Sequence, residues 1–335
     1  MQDSLRPLGR AGRGVGGDAL GVTRQAGLCD ATGSFPQRRL VHLCTSRRDL
    51  SMDDFEGHSA GGHGGAGMVA LSTVKKCRQW EPRFKGHTAV ALKVAHDGAE
   101  DFLLSEAKIM QVLSHRSIVR YIGFVRSPRY SAIVMERCTG PTLQKLLVEG
   151  NGPLAERDAL VAMLQLLSAV SYLHTRGVAH LDIKSENVML RDNPSQTCRQ
   201  VWKLLDFGLS ESLGQHVYRY LYSSIRGTIG YAAPDMFDDQ LSSAGFCDIW
   251  SLGILFVEML TGKVALKKPT WDSYRALIET SDFDELASLA TAPLRRSAVS
   301  VRTQELISLF LRPRGQRQTA EQLVQVVRGM LSTAA

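Results

Sequence analysis

Leu160, Met163, Leu164, Leu167, Val170 and Leu173 fall on one face at helical spacing, and the run stops near Gly177. That pattern predicts a long helix buried on one side, which requires a sizeable core around it. Directly after it stands the loop His180-Leu181-Asp182-Ile183-Lys184-Ser185-Glu186-Asn187. A carboxylate, an ammonium and an amide at spacings of two and three in one loop can serve a hydroxyl, a phosphate and a metal ion together. Nineteen residues after Asn187, the apolar pair Leu204-Leu205 leads into Asp206-Phe207-Gly208. One acid at a strand end before a glycine turn is an apt hard-oxygen ligand for Mg²⁺.

Upstream of this helix the pattern is strand-rich. Thr88 to Val94 reads as a short buried strand, residues 118–125 and 131–136 as two more, and Asp101 to Leu113 as a helix. Lys93 is a polar residue inside the first of these strands, and a buried lysine needs a carboxylate or an anionic ligand. Glu106 on the following helix is the candidate. Downstream, helices are predicted at about 244–260, 301–310 and 319–330, the last opened by the capping pattern Thr-Ala-Glu-Gln. The fold class expected is α+β.

The formal charge of +7 is unevenly placed: residues 1–50 hold eight Arg, no Lys and four Asp, so +4 of it lies there and +3 in the rest. That balance argues against a basic nucleic-acid groove. Residues 1–67 also hold 14 of the 30 glycines without a sustained apolar period, so a disordered tail is expected over 1–54. Four Asp and no amphipathic period argue against an organelle leader, and Met52 is a second candidate start. Six dispersed cysteines lack zinc spacing and predict free thiols. No run of about 18 uncharged apolar residues occurs, so no membrane span is expected. A cytoplasmic location, with a nuclear one as the alternative, follows from these readings.

Gly62, Gly64 and Gly67 fit G-x-G-x-x-G, with Val69 two residues on. Glycines let backbone N–H groups approach phosphates closely. Five glycines in seven residues also match many patterns by chance, so a flexible linker stands beside the phosphate reading.

Taken in order, Val90-Ala91-Leu92-Lys93, the His180–Asn187 loop, Asp206-Phe207-Gly208, Ala233-Pro234-Asp235, Asp248-Ile249-Trp250-Ser251-Leu252-Gly253 and Arg317 resemble the motif set of the eukaryotic protein kinase family. The resemblance implies a bilobal fold over residues 55–331, followed by a short tail at 332–335. It divides into a small β-rich N-lobe with one main helix (about 55–136), a hinge (about 136–140) and a larger, mainly helical C-lobe (about 141–331). It implies ATP and Mg²⁺ (or Mn²⁺) as cofactors. Lys93, held by Glu106, would bridge the α- and β-phosphates, Asp182 would be the catalytic base, Lys184 would steady the γ-phosphate, and Asn187 and Asp206 would hold the metal. Met135 resembles the gatekeeper, the backbone of Glu136 and Cys138 would bond the adenine, and Val69, Ala91 and Met189 would sandwich it. Plain core packing is the other reading of the last three. Lys184, two residues after Asp182, and Thr228 resemble the serine/threonine type, so the expected substrates are protein Ser/Thr hydroxyls; a monomer is the default.

Four departures from the family pattern carry expectations of their own. Leu181 stands where regulated kinases have Arg, a good partner for a phosphate on the activation segment, which predicts activity independent of such a phosphate on Ser223 or Ser224. Ser185 replaces the common proline. Asp235 replaces a glutamate, and its shorter arm is expected to reach Arg317 less well. The 24 positions from Val69 to Lys93 predict a surface insertion around Gln79 to His87. A second class of function, a catalytically weak pseudokinase acting as a nucleotide-binding or scaffolding module, would be marked by loss of Lys93, Asp182 or Asp206, and none is lost. A small-molecule kinase is disfavoured by the peptide-docking segment at Gly227-Thr228 and Ala233-Pro234.

Overall fold

The computed structural model describes residues 50–64, 67–76, 82–84, 88–96, 98–126, 130–150, 152–192, 200–213, 227–237 and 244–333. The strand read around Lys93 is β3 (Ala89–Ala95), the middle strand of a five-stranded antiparallel sheet. Its neighbours are β1 (Phe55–Gly64), β2 (Gly67–Val74), β4 (Tyr121–Arg126) and β5 (Ser131–Glu136), in the order β1-β2-β3-β5-β4. Alternation along β3 splits its side chains between two faces. Val90 and Leu92 pack with Leu50, Phe55, Val74, Phe84, Ile122 and Val134 in a small core of their own. Ala91 and Lys93 line the other side, where α1 (Glu100–Met110) buries Leu103, Glu106 and Met110.

Two expectations for the N-terminal part are corrected. The glycine-rich run is a strand: β1 pairs with β2 from Phe55↔Val74 to Gly64↔Gly67, with register shifts at Glu56/Ser59 and Ala60/Gly62. Its own side chains have little strand propensity, so the partner strand and the His58 Nδ1–Ser72 Oγ hydrogen bond fix it. The expected tail over 1–54 also ends sooner. Leu50 is buried and bridges to Val125, Ser51 caps a short turn over Met52–Asp54, and Lys75 N–H donates to the Asp54 carbonyl at 2.9 Å. Residues 1–49 lie outside the described residues, as does most of the predicted 79–87 insertion.

In the C-terminal part, α3 (Glu156–Thr175) is the predicted long helix and packs against α4 (Ala244–Thr261) and α8 (Ala320–Thr333). The elements α2 (Leu143–Glu149), α5 (Trp271–Thr280), α6 (Phe283–Thr291) and α7 (Val301–Phe310) complete the lobe. By length and composition alone α4 could cross a membrane, which the sequence reading did not expect of any segment. It carries Asp248 and Glu258 and is buried along nearly its whole length, as the central helix of a protein core is. Gly253 on α4 admits α7 closely: a Cβ there would lie 2.7 Å from the Phe310 Cβ.

Two short ladders position the loops. The pair β6 (Val178–Ala179) and β9 (Glu211–Ser212) holds one end of the His180–Asn187 loop. The pair β7 (Val188–Leu190) and β8 (Trp202–Leu204) holds the other, in the register Val188↔Leu204. Leu205 N–H donates to the Asn187 carbonyl at 2.8 Å, so residues eighteen apart in sequence become neighbours.

Candidate functional site

A cavity of about 260 Å³ lies between the sheet and the C-terminal part. Its lining includes Val69, Ala91, Lys93, Glu106, Met135, Glu136, Cys138, Asn187, Met189 and Asp206, ten of the residues singled out from sequence. Gly62, Gly64 and Gly67 are on the β1–β2 hairpin above it, where the bulged residue Gly61 is the glycine that reaches the lining. Leu71, Val119, Met110, Thr142 and Leu205 also line it and were missed. Leu71 was legible, since it shares a strand face with Val69 at period two. Thr142 was not, because it arrives through an isolated bridge to Met189.

Lys93 is 3% exposed. Its Nζ donates to both carboxylate oxygens of Glu106, at 2.8 and 2.7 Å, and to Asp206 Oδ1 at 2.7 Å. Burial pulls the ammonium pKa down, but the two carboxylates outweigh it and hold it above the ordinary lysine value. Burial pushes the Asp206 carboxyl up, and the Lys93 charge with the Lys93 and Gly208 hydrogen bonds holds it below the usual carboxylate range. Asp206 adopts φ +58, a left-handed conformation that costs about 1–2 kcal/mol for a non-glycine residue. Gly208 fits closely beside it: a Cβ there would lie 3.1 Å from Asp206 Oδ1, which would have to give by a few tenths of an ångström.

The loop after β6 forms a second network. Lys184 Nζ lies 2.9 Å from Asp182 Oδ2 and donates to Thr228 Oγ1 at 2.8 Å, while Thr228 donates to Asp182 Oδ1 at 2.7 Å. Asn187 Nδ2 donates to the Asp182 carbonyl and to Oδ2, both at 2.9 Å. Beneath it, Asp248 on α4 accepts the backbone N–H of His180 at 2.9 Å and of Leu181 at 2.8 Å. These bonds stabilise the left-handed φ of +65 at Leu181. Ser185 ties the loop to α4: its Oγ donates to Glu258 Oε1 at 2.9 Å, and the Tyr231 hydroxyl donates to Oε2 at 2.5 Å. Burial raises the Glu258 carboxyl pKa.

Asn187 and Asp206 suit a hard divalent cation. Both N–H groups of Asn187 are committed to Asp182, which leaves its Oδ1 as a donor atom. Lys93 with Glu106 and Asp206 amounts to one cation against two carboxylates, an excess of negative charge that a metal would answer.

Two expectations need amending. Glu136 N–H is taken by the Arg120 carbonyl at 2.9 Å, so of its backbone polar groups only the carbonyl can serve a bound base. Asp235 does reach Arg317, at 2.9 Å, with both residues buried, because Arg317 is steered by further bonds to the Phe246 and Arg312 carbonyls. Among the described residues Cys138 and Cys247 are free thiols, and burial, then the Glu136 carboxylate, pushes the Cys138 thiol up to about 12.

Residues 62–327 match the family described as the Protein kinase domain. The chain is 32% identical over 200 residues to the probable serine/threonine-protein kinase zyg-1 of Caenorhabditis briggsae, covering 60% of this chain and 26% of that protein. It is 34% identical over 222 residues to the human calcium/calmodulin-dependent protein kinase type IV, covering 65% of this chain and 42% of that one. The chain thus spans less than half the length of these relatives. The crystal structure of Rad53 1-466 in complex with AMP-PNP superposes with a TM-score of 0.62 at 24% identity, over 81% of this chain and 64% of that one, a likeness of fold.

Proposed function

This chain belongs to the protein kinase family, and from that premise we propose that it transfers the γ-phosphate of ATP to serine and threonine hydroxyls of proteins. The observation that carries the reading is the Asp182–Lys184–Thr228 network beside the Lys93–Glu106–Asp206 cluster. Asp182 orients the acceptor hydroxyl and takes its proton as the acceptor oxygen bonds to the γ-phosphorus and the bond to ADP breaks. Lys184 meets the γ-phosphate, and Lys93 the α- and β-phosphates. The hinge carbonyl of Glu136 and the backbone of Cys138 bond the adenine. Mg²⁺ (or Mn²⁺) held by Asn187 and Asp206 neutralises the phosphate oxygens when bound. Since this transfer asks little covalent chemistry of a protein, preorganised charge is the main device.

The test is transfer from Mg²⁺-ATP to a generic protein substrate, with phosphoamino-acid analysis of the product. Phosphoserine or phosphothreonine is expected, with transfer falling on the order of 10²-fold in Lys93→Met. Nucleotide binding without transfer by folded protein would favour the catalytically weak scaffold instead.

The activity is further proposed to be independent of a phosphate on the activation segment. Leu181 is buried and apolar where a phosphate-pairing cation would stand, and Asp248 already fixes the loop backbone. Ser223 and Ser224 lie outside the described residues. Phosphatase treatment of active protein is expected to leave most of the transfer rate; loss of most of it refutes this part.

A further inference from the structure

Lys203 is buried on β8, three residues before Asp206, and it does not line the nucleotide cavity. Its Nζ lies 2.5 Å from Glu136 Oε1 and donates to the Ile118 carbonyl at 3.1 Å. Glu136, the last residue of β5, is buried too. Its Oε1 also accepts the Arg120 N–H at 2.8 Å, and its own N–H donates to the Arg120 carbonyl at 2.9 Å. The pair thus joins the end of the sheet to the strand that leads into Asp206.

Burial of both charges needs a reason. Taking an ammonium and a carboxylate out of water is expensive, and a well-packed apolar pair of similar volume is often as stable or more so. What the ionic pair supplies is direction. An ammonium shared between Glu136 Oε1 and the Ile118 carbonyl fits one placement of β8 against β5, whereas an apolar contact tolerates sliding. That placement matters to the site, because Lys203 stands opposite Met189 in the β7–β8 ladder, and Met189 and Glu136 both line the nucleotide cavity. A second cavity, of about 660 Å³, shares Val119 and Glu136 with the nucleotide cavity as a common wall, and Lys203 lines it together with Arg116, Arg120, Arg137 and Arg191. Lys203 therefore meets that wall from the side away from the nucleotide.

We propose that Lys203 is a positioning residue for nucleotide binding: through Glu136 it sets the distance from the hinge carbonyl to Asp206, and so from the base to the metal-bound phosphates of one nucleotide. This rests on the nucleotide reading proposed above, in which the Glu136 carbonyl meets the adenine and Asp206 the metal. A ligand held at both ends binds best when the two ends are already in place, and it loses affinity when binding must order them. Other bonds keep β8 itself formed: Leu204 N–H donates to the Ser117 carbonyl at 2.9 Å, and the Leu204 carbonyl accepts the Val119 N–H at 3.0 Å. Neither bond involves Glu136, so loss of Lys203 is expected to loosen the spacing while the strands persist.

The test is equilibrium binding of two probes to the full chain, with the melting temperature read alongside. Adenosine occupies only the base end, whereas AMP-PNP with Mg²⁺ must engage both. Lys203→Met leaves the Glu136 carboxylate buried without the Lys203 charge, so the melting temperature is expected to fall by about 5 °C. The double variant Lys203→Met/Glu136→Gln removes both charges and keeps an oxygen for the Arg120 N–H, so its melting temperature should return close to that of the wild type. In both variants AMP-PNP with Mg²⁺ is expected to bind about ten-fold more weakly than in wild type, and adenosine within about two-fold of it. A loss of affinity that persists once stability is recovered is the mark of positioning. AMP-PNP affinity that is unchanged in the variants, or that returns with the melting temperature, reduces the pair to a structural role and overturns the proposal. So does adenosine binding weakened as much as that of AMP-PNP, which would put the effect in the hinge alone. Wild-type protein that binds neither probe overturns the nucleotide reading itself, and this inference with it.

Discussion

Asp182→Asn is expected to lower the transfer rate on the order of 10³-fold while the KM for ATP changes little. In the proposed transfer Asp182 takes the proton of the acceptor, and its carboxylate is surrounded by donors: Thr228 Oγ1 at 2.7 Å on Oδ1, with Asn187 Nδ2 and Lys184 Nζ each at 2.9 Å on Oδ2. An amide of the same shape keeps the side chain in place but removes the base, and turns an N–H toward one of those donors. In the proposed reading the adenine and the α- and β-phosphates are held by the hinge, Lys93 and Asp206, none of which bonds to Asp182, whereas Lys184 and Asn187, which do, act at the γ-phosphate and the metal, so most of the nucleotide binding is spared. Steady-state kinetics with the ATP concentration varied checks the split. A variant that loses ATP affinity and transfer in equal proportion would place Asp182 in nucleotide binding and not in the proton transfer.

The largest expected change in stability comes from Arg317→Met. Arg317 is 4% exposed and Asp235 9%. The guanidinium bonds Asp235 Oδ2 at 2.9 Å, the Phe246 carbonyl at 2.6 Å and the Arg312 carbonyl at 2.9 Å, and it lies 5.4 Å from the centroid of the Trp250 ring. Removing it leaves a buried carboxylate without a counter-charge, which costs about 3–5 kcal/mol. At roughly 2–4 °C per kcal/mol for a chain of this size, the melting temperature should fall by about 10 °C. Adding Asp235→Ala to that variant is expected to recover part of the loss, since the stranded charge is then gone. A double variant as unstable as the sum of the two single ones would mean that the pair is not coupled.

How much of this was legible beforehand differs from residue to residue. β3, β5, α3, α4 and α7 came out within a few residues of where periodicity placed them, because each buries one face or all faces in a continuous apolar pattern. β1 did not, because Phe55–Gly64 has almost no β-branched residues and is held by register with β2. Leu50 was read as part of a tail, since a single leucine carries no period; the bridge to Val125 gives it its place. The shorter Asp235 was expected to reach Arg317 less well, and the two carbonyls that aim the guanidinium were invisible in a linear reading.

The order of the charged motifs in the sequence determined the family and the fold class and singled out Lys93, Glu106, Asp182, Lys184, Asn187 and Asp206 as candidates, because these residue types at these spacings have few other uses together. Which side chains actually meet was decided only by the tertiary structure. The β7–β8 register sets Asn187 beside Asp206, and Asp248 draws the loop backbone onto α4. The gathering of five cations behind the hinge was likewise beyond a linear reading, since Arg116 and Arg120 share the segment before β4 while Arg137, Arg191 and Lys203 come from three others. Periodicity is a property of one segment, whereas a cavity and its field are sums over segments that only the packed core brings together.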